Sequence, residues 1–104
     1  MQNEDFIVTR DKNPWGVKFT VKGRVNSTNA DGLQFRLEKA LKDGEVNIVL
    51  NMNQVDFLSS TGIRVLLKTY KDASKTGVKF AIEQPSENVR NVLGMVAMDE
   101  LLIV

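Results

Sequence analysis

Apolar and polar positions follow two rhythms along this chain, one of about two residues and one of about 3.6. Val17, Phe19 and Val21 alternate with Lys18, Thr20 and Lys22, and Val78, Phe80 and Ile82 alternate with Lys79, Ala81 and Glu83. Each reads as a strand with one wet face. Phe6–Arg10 reads as a short strand before them, and Asp11–Gly16 has the turn chemistry of a hairpin loop, with Trp15 stapling it. Ile48-Val49-Leu50 is a continuous apolar run, which predicts a central strand covered on both faces. Val55, Phe57 and Leu58 are too apolar for a free loop and predict an inward-packed connection after it. Leu101–Val104 reads as a last short strand.

The helical rhythm occurs three times. Ala30, Leu33, Leu37, Ala40 and Leu41 form one stripe, entered through Thr28 or Asn29 as N-cap and ended by Asp43-Gly44. Ile63, Leu66, Leu67 and Tyr70 form the second, in a helix from Ser60 to about Ser74. Its outward stripe is Arg64, Lys68, Lys71 and Lys75, either a solvated face or a steering surface for an acidic partner. Val89, Val92, Leu93 and Val96 form the third, after Pro85-Ser86-Glu87, with Met95 and Met98 near its edge. The order is β-β-α-β-α-β-α-β over residues 1–104 as one domain. It predicts an α/β fold with a mixed, mostly parallel sheet, right-handed crossovers and helices mainly on one face. The connection after the central strand then lies where α/β folds place their working sites.

Composition narrows the chemistry. The 104 residues contain no Cys and no His, which removes thiolate catalysis, the usual triads and most transition-metal sites. No Walker or dinucleotide loop, nucleophile elbow or paired carboxylate motif is present, so an enzyme is not expected and no cofactor or metal is called for. The net charge of +1 and the lack of basic stretches interleaved with aromatics argue against nucleic acid. Met1–Asp5 is acidic with no apolar core, unlike a signal peptide, and no run is long enough to span a membrane; a cytoplasmic location is the expectation.

Two features point to recognition. Phe35 falls on the polar side of the first helix, among Asp31, Gln34, Glu38 and Lys42, as either a harmless exposed ring or a partner contact. Ser59-Ser60-Thr61 precedes the second helix. A serine there can be an N-cap, worth roughly 0.5–2 kcal/mol. It can also be a phosphorylation site, because the orphan N–H groups and helix dipole favour an added anion.

Val55-Asp56-Phe57-Leu58-Ser59-Ser60-Thr61-Gly62-Ile63, after a Val-Leu-Asn strand, resembles the signature of STAS domains, in the branch of bacterial anti-sigma factor antagonists. Gly23-Arg24-Val25-Asn26 with Ala30, the stretch Lys68–Gly77, and Asn91-Val92-Leu93 followed by Leu101-Leu102-Ile103 resemble further family segments. The resemblance implies a STAS-like domain that binds an anti-sigma factor serine kinase and so releases a sigma factor. Phosphorylation of one serine breaks the complex and a phosphatase restores it. The matching acceptor is Ser60, with Ser59 and Thr61 as neighbouring alternatives. The implied partner surface comprises Asn26, Ser27, Thr28, Ser59, Ser60, Thr61, Gly62, Arg64 and Lys68, with Phe35 on the first helix. The family's Asp before the serine is Ser59 here, and its Asp in the Gly-Glu-Leu-Asp segment is Asn26. A binding module without phosphorylation, either a scaffold or sensor subunit or an accessory subunit of a lipid or anion transporter, is the alternative. Many relatives carry a further helix after the last strand, which leaves a homo-oligomer open.

Overall fold

The computed structural model describes residues 6–104. The stretch Met1–Asp5, read above for a targeting signal, lies outside the described residues. The elements are β1 (Phe6–Asn13), β2 (Gly16–Val25), α1 (Ala30–Lys42), β3 (Asn47–Leu58), α2 (Ser60–Lys75), β4 (Lys79–Glu83), α3 (Glu87–Met95) and the single turn α4 (Asp99–Leu102). They build one sheet in the order β1-β2-β3-β4. β1 and β2 form an antiparallel hairpin, β2–β3 and β3–β4 are parallel pairs, and the parallel crossovers run through α1 and α2. Two elements differ in extent from the sequence reading. β1 runs on to Asn13 because Asp11 and Lys12 pair with Lys18 and Val17, so the hairpin loop shrinks to Pro14-Trp15. The closing strand is reduced to one parallel bridge, Ile103 to Ile82, extended by Val104 N–H donating to the Ile82 carbonyl at 3.0 Å. Leu101 and Leu102 belong to the preceding helical turn.

The core lies on one side of the sheet. Val17, Phe19, Val21, Ile48, Leu50, Met52, Phe80 and Ile82 point into it, and α1, α2 and α3 cover them with Leu33, Leu37, Val65, Leu66, Val89 and Leu93. The opposite sheet face carries Lys18, Thr20, Asn47, Val49, Asn51 and Ala81, none of them buried. This corrects the expectation that β3 is covered on both faces. Its apolar run is deceptive, because Val49 lies on the open face, where an ion pair from Lys18 Nζ to Glu83 Oε2 at 2.7 Å crosses β3. The buried side of α2 is also rotated from the expected stripe. Gly62, Val65, Leu66, Thr69 and Ala73 are buried, while Ile63, Leu67 and Tyr70 are only partly covered. Thr69 satisfies its buried hydroxyl by donating to the Val65 carbonyl at 2.9 Å. In α3, Val96 is 45% exposed because the helix ends there; of the two edge methionines, Met98 is buried and Met95 is exposed.

β3 does not end at the expected connection. Its ladder with β2 continues to Leu58, with register shifts between Thr20 and Lys22 and between Gly23 and Arg24. At each shift β3 spends one residue more than β2, so Asn53 and Asp56 sit in β-bulges. The bulges keep Val55 and Leu58 in the core while Phe57 turns to the open face, where the Arg24 guanidinium lies 4.5 Å from its ring centroid.

Candidate functional site

The C-terminal ends of β2 and β3 and the starts of α1 and α2 meet at one end of the domain. Ser59 N–H donates to the Val25 carbonyl at 2.9 Å, which fastens the entry of α2 to the exit of β2. The close approach depends on Gly62. A Cβ there would lie 2.7 Å from Leu58 Cδ1 and 2.9 Å from Val25 Cγ1. Any side chain would push the first turn of α2 off the strands that position it.

The three consecutive hydroxyls are not equivalent. Ser59 is the N-cap, and its Oγ accepts from Gly62 N–H at 3.1 Å. The same Oγ shares a 2.7 Å hydrogen bond with Thr61 Oγ1. Ser60, the first helical residue, is exposed, and its hydroxyl makes no hydrogen bond among the described residues. The first turn of α2 holds no acidic residue, so nothing there offsets the positive end of the helix dipole. Ser59, where the resemblance would place a carboxylate, thus performs the capping task through its hydroxyl.

Asn26 has an equally definite role. Its Oδ1 accepts from Thr28 N–H at 2.9 Å and Asn29 N–H at 3.1 Å. Asn29 answers through Oδ1, which accepts from Asn26 N–H at 3.0 Å, and Nδ2, which donates to the Arg24 carbonyl at 2.8 Å. Of the two expected cap positions, Asn29 is the N-cap of α1, while Asn26 holds the turn over residues 26–30 that precedes the helix, with Ala30 N–H donating to its carbonyl at 2.9 Å. Asn29 itself makes no capping bond to the helix. Ser27 and Thr28 are left exposed on this turn, beside the α2 entry.

Of the remaining sequence-derived residues, Arg64 adjoins this cluster while Lys68 and Phe35 lie apart from it. Arg64 is exposed one turn along α2. Lys68 lies two turns along, and its ammonium is committed to Asp72 Oδ2 at 2.8 Å and approaches Glu38 Oε2 at 3.8 Å. The hydrogen bond and charge of Asp72, helped by Glu38, raise its pKa above the usual 10.5 despite a small opposing effect of burial. Phe35 is 68% exposed on the flank of α1 toward β1, not beside Ser60. The Arg24–Phe57 stack at the rim of the cluster was not legible in the sequence, because the pairing exists only in the bulged register.

The arrangement defines a class: a one-sided α/β domain that presents an exposed hydroxyl at a capped helix start between two strand ends. The sequence matches the family model described as STAS domain over residues 7–103, and the chain belongs to the STAS domain family. It is 31% identical over 85 residues to BtrV of Bordetella bronchiseptica, which bears an anti-sigma factor antagonist name; the match spans 82% of this chain and 73% of BtrV. The fold is shared with an anti-sigma factor antagonist from Mycobacterium paratuberculosis, at a TM-score of 0.86 and 18% identity over 98% of this chain and 87% of that one. It is also shared with the anti-sigma factor antagonist SpoIIAA. The unphosphorylated form superposes with a TM-score of 0.82 and 15% identity over 93% of this chain and 86% of that one. The phosphorylated Bacillus form gives 0.74 and 15% over 94% and 88%.

Proposed function

We propose that this chain, as one domain over residues 1–104, is an anti-sigma factor antagonist of the cytoplasm that works by binding and not by turnover. Its partner is an anti-sigma factor with serine kinase activity, held at the end formed by Asn26–Thr28 and Ser59–Gly62, with Arg64 alongside. The kinase transfers a phosphoryl group from ATP to Ser60 Oγ, releasing ADP and a proton, and the complex parts; a phosphatase reverses the step. The observation that carries the reading is the division of labour among the three hydroxyls: Ser59 caps the helix and is bonded to Thr61, and Ser60 alone is exposed and makes no hydrogen bond among the described residues. The likeness to BtrV and the phosphorylated form of SpoIIAA support it. Physically, a hydroxyl in a tight contact becomes a group of about −1.5 to −2 charges. The Ser60 and Thr61 N–H groups and the helix dipole tolerate it within the molecule, while a surface shaped for the hydroxyl rejects it. Because Ser59 and Asn26 keep the hydrogen bonds that hold the two turns, loss of the family's carboxylates leaves the acceptor in place, which favours a switched binder over a constitutive one.

The test is a binding titration against the anti-sigma factor kinases of the same organism, without ATP. Ser60→Ala is expected to bind as the wild type does, and Ser60→Asp about tenfold or more weakly, a loss of about 1.4 kcal/mol or more. Equal binding by both variants overturns the switch.

A further inference from the structure

The flank of α1 that faces β1 carries a groove the Ser60 end does not use. It has a volume of about 450 Å³ and is lined by Arg10, Phe19, Gly32, Phe35, Arg36 and Lys39. Three of these are cations and none is a carboxylate. Arg10 and Lys39 are already occupied, Arg10 with Glu45 at 3.1 Å and Asp43 at 3.7 Å, Lys39 with Asp43 at 3.2 Å. Arg36 is exposed and has no carboxylate partner among the described residues. Beside it the Phe35 ring stands 68% exposed, the most exposed aromatic side chain among the described residues.

Gly32 is the second observation. It is the third residue of α1, and nothing among the described residues requires a glycine there. Its backbone is ordinary helix, and a Cβ would meet no heavy atom within 4 Å. The missing side chain lowers the wall of the groove next to Phe35 and Arg36. A helix surface kept low at Gly32, between an exposed ring and a guanidinium with no carboxylate partner among the described residues, leaves room for close approach by something outside the chain.

We propose that this groove is a second docking surface, and that its occupant is an acidic protein segment with an apolar side chain. The apolar group packs on Phe35 over Gly32, and a carboxylate pairs with Arg36. The surface lies on the flank of α1 away from the side that meets α2 through Glu38 and Lys68. A partner held there keeps its grip whether or not Ser60 is modified.

The probe is a ten-residue peptide alternating Glu and Leu, titrated into the ¹⁵N-labelled full chain while amide shifts are followed. The expected result is saturable movement of the Gly32, Phe35, Arg36 and Lys39 amides, weakened about tenfold by Arg36→Glu and by Gly32→Ala and unchanged by Ser60→Asp. Thermal unfolding of both groove variants guards against misfolding, and Gly32→Ala is expected to melt no lower than the wild type. Equal binding of a Lys-Leu or an all-Glu peptide overturns the proposal, as does movement centred on Ser60. So does undiminished binding by folded Gly32→Ala. Shifts of the same amides with protein concentration alone, together with a dimer in sedimentation, assign the groove to a second copy of the chain and also overturn it.

Discussion

Three adjacent hydroxyls at residues 59–61 meet three different environments, and the difference is set by one turn of backbone. Ser59 lies before the helix, where its oxygen reaches the N–H three residues on. Thr61 lies close enough to bond to it, and Ser60 is exposed and bonds to neither. Stability and the proposed switch therefore separate by residue. Ser59→Ala is expected to lower unfolding free energy by about 1 kcal/mol, the usual worth of a cap, and Ser60→Ala to change it by less than about 0.5 kcal/mol, as surface substitutions do. Urea unfolding of the two variants checks this; equal losses would contradict the assignment of the cap. Gly62→Ala is the sterner case. Its methyl group meets Leu58 and Val25 inside 3 Å, and overpacking of this kind costs about 1–3 kcal/mol. The candidate acceptor was legible in the sequence as one of three hydroxyls. Which of them is free was not, because capping geometry depends on the residue at which the helix begins.

At the scale of elements, α1 and α2 are held together by packing and by one ionic link. Lys68 reaches across from α2 to Glu38 on α1 while bonded to Asp72 on its own helix. The sequence placed Lys68 on an outward charge stripe with Arg64, and it was right about the stripe. It could not show that one cation of the stripe is engaged by a neighbouring helix, since that depends on the crossing of α1 and α2. The raised pKa fixes the sign of the pH dependence. A lysine whose folded pKa exceeds the unfolded value of 10.5 contributes fully below that value and loses its contribution as pH rises through the folded one. The difference in urea midpoint between wild type and Lys68→Gln is expected to stay constant from about pH 6 to 9 and to close above about pH 10.5. The pair is solvent-accessible, so the difference is small and shrinks with added salt. A gap that widened at high pH would contradict the link.

For the whole molecule, the alternation of strands and helices was enough to give the one-sided α/β layout, because hydrophobic period and short connections restrict the topology. The misreadings cluster on β3. An apolar run of three looked covered on both faces, and two pairs of consecutive residues that do not face the core, Asn53-Gln54 and Asp56-Phe57, broke the alternation and looked like the end of a strand. A reading by strict alternation has no place for an extra residue, whereas a ladder does. This has a consequence for length. Removing Asn53 or Asp56 would straighten the ladder and still leave Met52, Val55 and Leu58 facing inward, since each is the surplus residue of its bulge. Removing Val49 would turn every later side chain of the strand to the wrong face. A single-residue deletion scan is expected to show cooperative unfolding retained at residues 53 and 56 and lost at residue 49. The strand thus carries slack of one residue in each of two places, and a lineage could shorten it there and re-aim the start of α2 without first having to rebuild the core.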